Sequence, residues 1–376
     1  HMENMKGVPL MTRTGAIDDN VSPWHPRRMA RIHAQISGNA SQSLVSEIPG
    51  VGHWWDTIMN DQDTRKFMTP YLNPNSTVKP PLPTTFTVTC MNPRGFGGKG
   101  GVVPLQLTIP FRIGKIRVFR SSSSEWWLRT SNIRRFSIKS VNGLETPSAV
   151  RIDQSDPLPV KPSTHFCKED STGDWKICEG VAWTYYERSA ANYGPMRIVF
   201  EKFAVIVIGT QGTATETMWH EKQAILLSNQ LYIVGRHYIP IIRDSDFVTS
   251  EYSDSDANLI LIGGPHTNLV SQYFAKYFPV RFHTNRSQMS LGDYVFSSRS
   301  HSGEENPLGC LFLSALPNIA VPGPGSVLSR LALVVAGTSM EGAQLAARMI
   351  PVSSGLHIPD YLIVTKDIKS RGSGGI

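Results

Sequence analysis

The chain has 376 residues, of which 40% are hydrophobic and 18% are charged. This composition excludes a disordered tail, a collagen-like fibre and a disulfide-dense miniprotein. At about 100–200 residues per domain, the length predicts two or three domains. The formal net charge is +7, but the basic residues are scattered along the chain, so we expect no nucleic-acid partner.

The sequence also bears on the compartment. No apolar run approaches the ~20 residues that a membrane helix needs, so no membrane partner is expected. The first residues show no signal-peptide pattern, which predicts a cytoplasmic protein if Met2 is the true start and a secreted one if an upstream region exists. Cys167 and Cys178 lie eleven residues apart; they either close a disulfide loop in an oxidising compartment or remain free thiols.

The first region, residues 1–72, alternates strands with helices. Apolar patterning predicts a strand over Gly7–Met11, a helix over Pro26–Ser37, a strand over Leu44–Ile48 and a helix over Asp61–Tyr71. An acidic loop follows the first strand and a histidine-containing loop follows the second. This order is typical of half of a doubly wound sheet.

Three further regions follow. A proline-rich stretch, 73–83, is predicted to be a linker, and residues 84–193 carry alternating β-branched and aromatic residues that predict a central antiparallel β domain. Residues 194–376 alternate strands with helices, which predicts a parallel sheet with right-handed crossovers in a Rossmann- or flavodoxin-like α/β domain. The fold class is therefore expected to be mixed α/β.

Neither a cofactor nor a metal is expected. Glycine-containing loops follow three predicted strands of the last region, where open α/β sheets place ligands, but none has a dinucleotide fingerprint or a P-loop. Plain strand-to-helix turns are therefore favoured over nucleotide binding. The histidines are not grouped at metal-ligand spacing, and His220-Glu221 lacks the second helical histidine of a zinc protease.

Two loops of the first region carry the strongest motif. The acidic loop reads Gly15-Ala16-Ile17-Asp18-Asp19-Asn20-Val21, and the later loop reads Gly50-Val51-Gly52-His53-Trp54-Trp55. Each is also compatible with an ordinary turn. Together they resemble the end of an α/β-hydrolase domain of the prolyl-oligopeptidase type, in which a carboxylate holds the imidazole in one tautomer and stabilises its protonated form.

The resemblance implies that Asp18 is the orienting acid and His53 the general base, with Asp19 and Asn20 shaping the acid loop. The Cys90–Gly98 loop and the later α/β segments look like the C-terminal regions of large fungal proteins that carry such a hydrolase domain. The first region would then be a C-terminal remnant of that domain. The sequence departs from the family at the nucleophile, because no serine lies in a G-x-S-x-G elbow.

Three functions remain open. The chain supplies the Asp and His of a serine-hydrolase triad, with a second chain or a homo-oligomer completing the fold around an unidentified peptide or small-molecule substrate. Alternatively it is a repurposed fungal secondary-metabolite cyclase or isomerase that uses Asp18 and His53, or an aromatic pocket lined by Trp54 and Trp55. The third hypothesis is a non-catalytic binding or assembly module.

Overall fold

The protein is a mixed α/β molecule with several sheets. A computed structural model describes residues 1–72, 82–141, 146–169, 172–299, 305–317, 330–353 and 358–376. The chain divides into two compact units, 1–178 and 179–376, so this boundary falls before the predicted one at residue 193. Residues 73–81 of the predicted linker lie outside the described residues. In the described ranges, every helix is too short or too polar to cross a membrane.

The N-terminal unit begins with a strand–helix–strand–helix segment. Its elements are β1 (Leu10–Gly15), α1 (Trp24–Ser37), β2 (Ser43–Ile48) and α2 (Gln62–Leu72), after a 3-10 turn at Met2–Met5. Strands β1 and β2 are parallel, and α1 connects them. The first strand starts three residues later than Gly7, because residues preceding Leu10 form turns. Parallel pairing brings the carboxyl ends of both strands to the same edge.

The rest of this unit consists of two sheets. The strands are β3 (Thr85–Cys90), β4 (Val102–Leu107), β5 (Gly114–Arg120), β6 (Glu125–Ser131), β7 (Ile133–Ile138), β8 (Ala149–Ile152), β9 (Leu158–Pro159), β10 (Thr164–Lys168) and β11 (Trp175–Ile177). One sheet has the order β11-β10-β7-β4 and the other β3-β5-β6-β8-β9. The prediction of an antiparallel domain needs one correction, because β6 and β8 pair in parallel. Strand β7 belongs to the other sheet. The chain then comes back to the first sheet as β8, which runs beside β6 in the same direction.

A disulfide joins Cys167 on β10 to Cys178, just beyond β11, with the two Cα atoms 5.9 Å apart. Of the two alternatives for this pair, the structure therefore has the closed loop. Cys90 and Cys310 are free and buried, and burial raises the pKa of the Cys90 thiol to about 11. Cys90 is consequently an uncharged core residue at neutral pH.

The C-terminal unit contains a six-stranded and a three-stranded sheet. Its elements are β12 (Ala204–Ile208), α3 (Ala214–Gly235), β13 (Ile241–Arg243), α4 (Asp244–Phe247), β14 (Asn258–Ile262), α5 (Leu269–Phe274), β15 (Val280–Phe282), β16 (Gln288–Leu291), β17 (Tyr294–Ser297), β18 (Gly309–Leu316), β19 (Arg330–Gly337), α6 (Met340–Ala347), β20 (Tyr361–Val364) and α7 (Ile368–Arg371). The large sheet has the order β13-β12-β14-β19-β18-β20.

The large sheet is mixed rather than parallel. Strands β13, β12, β14 and β19 are parallel to one another, whereas β18 runs antiparallel to both β19 and β20. The prediction of an all-parallel sheet is therefore wrong at this edge. All eight residues of β18 are buried. A strand that is covered on both faces needs a mostly apolar sequence such as that of β18. The sequence analysis did not predict a strand here.

The helices cover both faces of the large sheet. Side chains of α3 and α6 pack with one set of alternating strand residues, and side chains of α4 and α5 pack with the other set. The loop after β14 therefore leads to the opposite face from the loops after β12 and β19. Loops that diverge at the carboxyl ends of parallel strands leave a crevice between them.

Candidate active site

Backbone hydrogen bonds hold the acidic loop against the histidine loop. The amide of Ala16 donates to the Ile48 carbonyl at 2.9 Å, and the amide of Ile17 donates to the Val51 carbonyl at 3.2 Å. A Cβ atom on Gly15 would lie 2.1 Å from the Val51 oxygen, far inside van der Waals contact. The close approach of the two loops thus requires glycine at position 15.

Asp18 and His53 form a hydrogen-bonded pair. The Nδ1 atom of His53 lies 2.9 Å from Oδ2 of Asp18, while Oδ1 of Asp18 accepts the backbone N–H groups of Val21 at 2.8 Å and Asn20 at 3.0 Å. These contacts lower the pKa of Asp18, with the Val21 amide making the largest contribution and His53 a smaller one. Asp18 is therefore a carboxylate at neutral pH and accepts a hydrogen bond from the Nδ1–H group of His53.

The second nitrogen of His53 is available for proton transfer. The His53 side chain is 29% exposed, whereas that of Asp18 is 7% exposed. Within the part of the chain that the structure describes, Nε2 has no hydrogen-bond partner. A carboxylate on Nδ1 and a free Nε2 form the arrangement in which histidine acts as a general base.

The remaining predicted site residues have smaller roles. Asp19 and Asn20 are exposed, and only the backbone N–H of Asn20 contacts Asp18. Trp54 is 78% exposed and its ring meets the His53 ring edge-on at 5.0 Å. Trp55 is half-buried, with the Arg13 guanidinium 5.7 Å from its ring centre. The two tryptophans therefore contact different partners.

The sequence analysis missed an ion pair that supports the histidine loop. Arg13 on β1 binds both carboxylate oxygens of Asp61, and its Nη1 also donates to the Thr64 hydroxyl at 2.6 Å. Asp61 in turn accepts the Thr64 amide at 2.9 Å, and Arg13 is the main cause that lowers the pKa of Asp61 to about 2. The contact ties the start of α2, which follows the histidine loop, to β1. An aspartate at the first residue of the predicted helix was a readable start signal, but its arginine partner was not.

In the described ranges, no cluster of three or more histidine, cysteine or acidic side chains is placed to hold a metal ion. No known family model matches the chain. It is similar to a protein of Arthroderma benhamiae named "Uncharacterized secreted protein", with 27% identity over 382 residues. The similarity covers the whole of this chain and 38% of the relative, so the chain spans well under half of that protein's length.

Proposed function

We propose that Asp18 and His53 are the acid and base of a Ser-His-Asp triad in a serine hydrolase of the prolyl-oligopeptidase type. The nucleophilic serine is contributed by a segment outside this sequence. One observation carries the proposal: Nδ1 of His53 lies 2.9 Å from the Asp18 carboxylate, while Nε2 faces no protein partner in the described part.

The surrounding fold supports this function. The order β1–α1–β2–α2 places an acid after one parallel strand and a histidine after the next, as in the last part of an α/β-hydrolase sheet. Parallel sheets are normally covered on both faces, yet Leu44 and Val45 on β2 are 43% and 44% exposed. Additional elements, from a second chain or another segment of a longer protein, would cover these faces. The C-terminal unit, with four parallel strands and helices on both faces, would be the Rossmann- or flavodoxin-like domain.

The proposed chemistry is acyl transfer on a peptide or small-molecule substrate. The serine oxygen attacks the carbonyl carbon of the substrate, and Nε2 of His53 takes the proton of the serine hydroxyl. Asp18 stabilises the imidazolium that forms, and His53 then gives the proton to the leaving group. General base catalysis of this kind contributes about 10²–10⁴-fold.

We also infer secretion for the protein. The relative is named as a secreted protein, and the Cys167–Cys178 disulfide is of the kind that persists in oxidising compartments.

Labelling with a fluorophosphonate, which reacts with activated serines, tests the triad. The 376-residue chain alone should remain unlabelled, whereas the natural protein that carries this sequence should be labelled on a serine outside it. His53→Ala in the natural protein should lower the labelling rate by at least about 10³-fold. The matched control is His25→Ala, which removes an exposed histidine outside both loops. Absence of labelling in the natural protein, or labelling that His53→Ala leaves unchanged, would overturn the proposal.

A further inference from the structure

A buried histidine in the C-terminal unit is oriented with one nitrogen free. His220 on α3 is 4% exposed, and its Nδ1 lies 2.7 Å from the carbonyl oxygen of Gly209. A carbonyl only accepts hydrogen bonds, so Nδ1 carries the proton and Nε2 has the lone pair. Burial lowers the pKa of His220, which keeps the ring neutral. Nε2 has no hydrogen-bond partner among the described residues.

His220 lines a cavity at the carboxyl ends of β14 and β19. The loops after these two strands diverge to opposite faces of the sheet, and α3 closes the third side. The cavity has a volume of about 60 Å³, which suits a small molecule, and it is open to solvent. A cavity at this place in a doubly wound sheet is the usual position of a ligand.

Glycine brings the backbone close to the histidine. Gly263 has a φ of +107°, and a Cβ atom there would lie 3.0 Å from the Cε1 atom of His220. At Gly264 a Cβ atom would lie 3.1 Å from the Phe282 ring and 3.2 Å from the Ala336 methyl group. A side chain at either position would crowd residues that line the cavity, so glycine is needed at both.

The lining of the cavity also includes a buried indole ring and the start of a helix. Trp219 is 6% exposed, and its indole Nε1 is buried without a hydrogen-bond partner. Helix α6 starts at the cavity, where the Ser339 hydroxyl caps the Gly342 amide at 3.2 Å. The first N–H groups of a helix have no partner within it and carry partial positive charge, so they favour an anion.

The charged side chains of the cavity are Arg286 and Glu216. Arg286 is exposed at the opening, and its Nη2 donates to the His266 carbonyl at 3.2 Å. Glu216 uses one carboxylate oxygen to accept hydrogen bonds from the Thr213 amide and hydroxyl, which caps α3. The acidic group is thereby engaged within its own helix, whereas the guanidinium retains donors for a ligand.

We propose that this cavity binds a small hydroxylated organic anion. Its anionic oxygens would contact the first turn of α6 and Arg286, and its hydroxyl would donate to Nε2 of His220. Carboxylates and phosphate esters share this chemistry. This cavity shares no residue with the Asp18–His53 pair and requires different chemistry. The proposal therefore does not depend on the proposed hydrolase function.

Isothermal titration calorimetry with the full chain tests the proposal. The probes are glycerate, a hydroxylated carboxylate, and glycerol 3-phosphate, a hydroxylated phosphate ester, with uncharged glycerol as the reference. We expect saturable one-to-one binding of at least one anion and none of glycerol. The probe that binds with the higher affinity shows whether the site prefers a carboxylate or a phosphate ester. If neither anion binds saturably below about 10 mM, the proposal is wrong.

Two variants locate the binding. Arg286→Ala changes an exposed side chain and should weaken binding of the anion by about tenfold, because one charge-assisted hydrogen bond is lost. His220→Asn keeps a side-chain N–H for the Gly209 carbonyl but removes the Nε2 acceptor, and should weaken binding severalfold. Arg281→Ala, an exposed arginine outside the cavity lining, is the matched control and should bind as the natural sequence does. Unchanged affinity in both Arg286→Ala and His220→Asn would overturn the assignment.

Discussion

The two units each contain a histidine whose Nδ1 is fixed by an acceptor and whose Nε2 has no hydrogen-bond partner among the described residues, but the acceptors differ. His53 in the N-terminal unit faces the carboxylate of Asp18 and is 29% exposed. His220 in the C-terminal unit faces a backbone carbonyl and is 4% exposed. The same tautomer is therefore selected in two different electrostatic environments.

This difference separates a base from a binding group. A carboxylate on Nδ1 stabilises the imidazolium, so His53 is suited to take up a proton during a reaction. Burial disfavours the charged ring of His220 and lowers its pKa despite the opposing attraction of Glu216 and Asp244, so His220 is suited to accept a hydrogen bond and remain neutral. Both sites fix the histidine tautomer. The charge of the group that accepts from Nδ1 and the burial of the ring decide whether the histidine takes up a proton or only accepts a hydrogen bond.

The largest expected effect comes from changing the acceptor of His53. In Asp18→Asn, the amide oxygen still accepts the Asn20 and Val21 amides, but the amide NH₂ now faces Nδ1 and favours the other tautomer. We expect hydrolysis of an activated ester by the natural protein to fall about 10⁴-fold. Asp56→Asn, an exposed aspartate close to His53 in sequence, is the control. A loss of less than tenfold would contradict the role of Asp18.

Removal of the two histidine rings should affect stability unequally. His220→Ala leaves a void in a packed region and an unpaired Gly209 carbonyl, which should cost about 2–4 kcal/mol of unfolding free energy. His53→Ala removes a partly exposed ring and should cost less than about 1 kcal/mol. Urea unfolding followed by circular dichroism measures both. Equal losses would show that burial does not distinguish the two sites.

The smallest effect concerns the acid dependence of the N-terminal unit. The pKa of Asp61 is about 2 in the folded protein, below its ordinary value of 3.8, because Arg13 binds the carboxylate. Its contribution to stability is therefore complete above about pH 4 and is lost as the pH falls through about 2. The measurement is the midpoint of thermal unfolding between pH 5 and pH 2, for the natural sequence and for Asp61→Asn. The midpoint should fall less steeply with decreasing pH in the variant. Identical pH profiles would contradict the ion pair.

Local patterns predicted most of the elements around the candidate site. Helices α1 and α2 and strand β2 match the predicted spans to within two residues, because each has clear apolar periodicity and start signals. The sequence missed β18 and the three-stranded sheet. Residues of β18 are buried on both sides by partners distant in sequence, and short apolar runs do not reveal such packing.

The same limit separates the two histidine sites. The pairing of Asp18 with His53 was implied by the resemblance of their loops to a hydrolase acid loop and histidine loop, and each loop could be placed after a predicted strand. His220 gave no comparable signal, since its acceptor Gly209, the neighbouring Gly263 and the cavity opening at Arg286 come from three separate segments.

The sequence by itself determined the alternation of strands and helices around the candidate site and the presence of the acid and histidine loops. Those features depend on residues close in sequence or on one parallel strand pair. Only the tertiary structure decided the antiparallel β18, the Arg13–Asp61 contact, the disulfide and the cavity beside His220. Each of these depends on distances between segments far apart in the chain, which composition and periodicity do not encode.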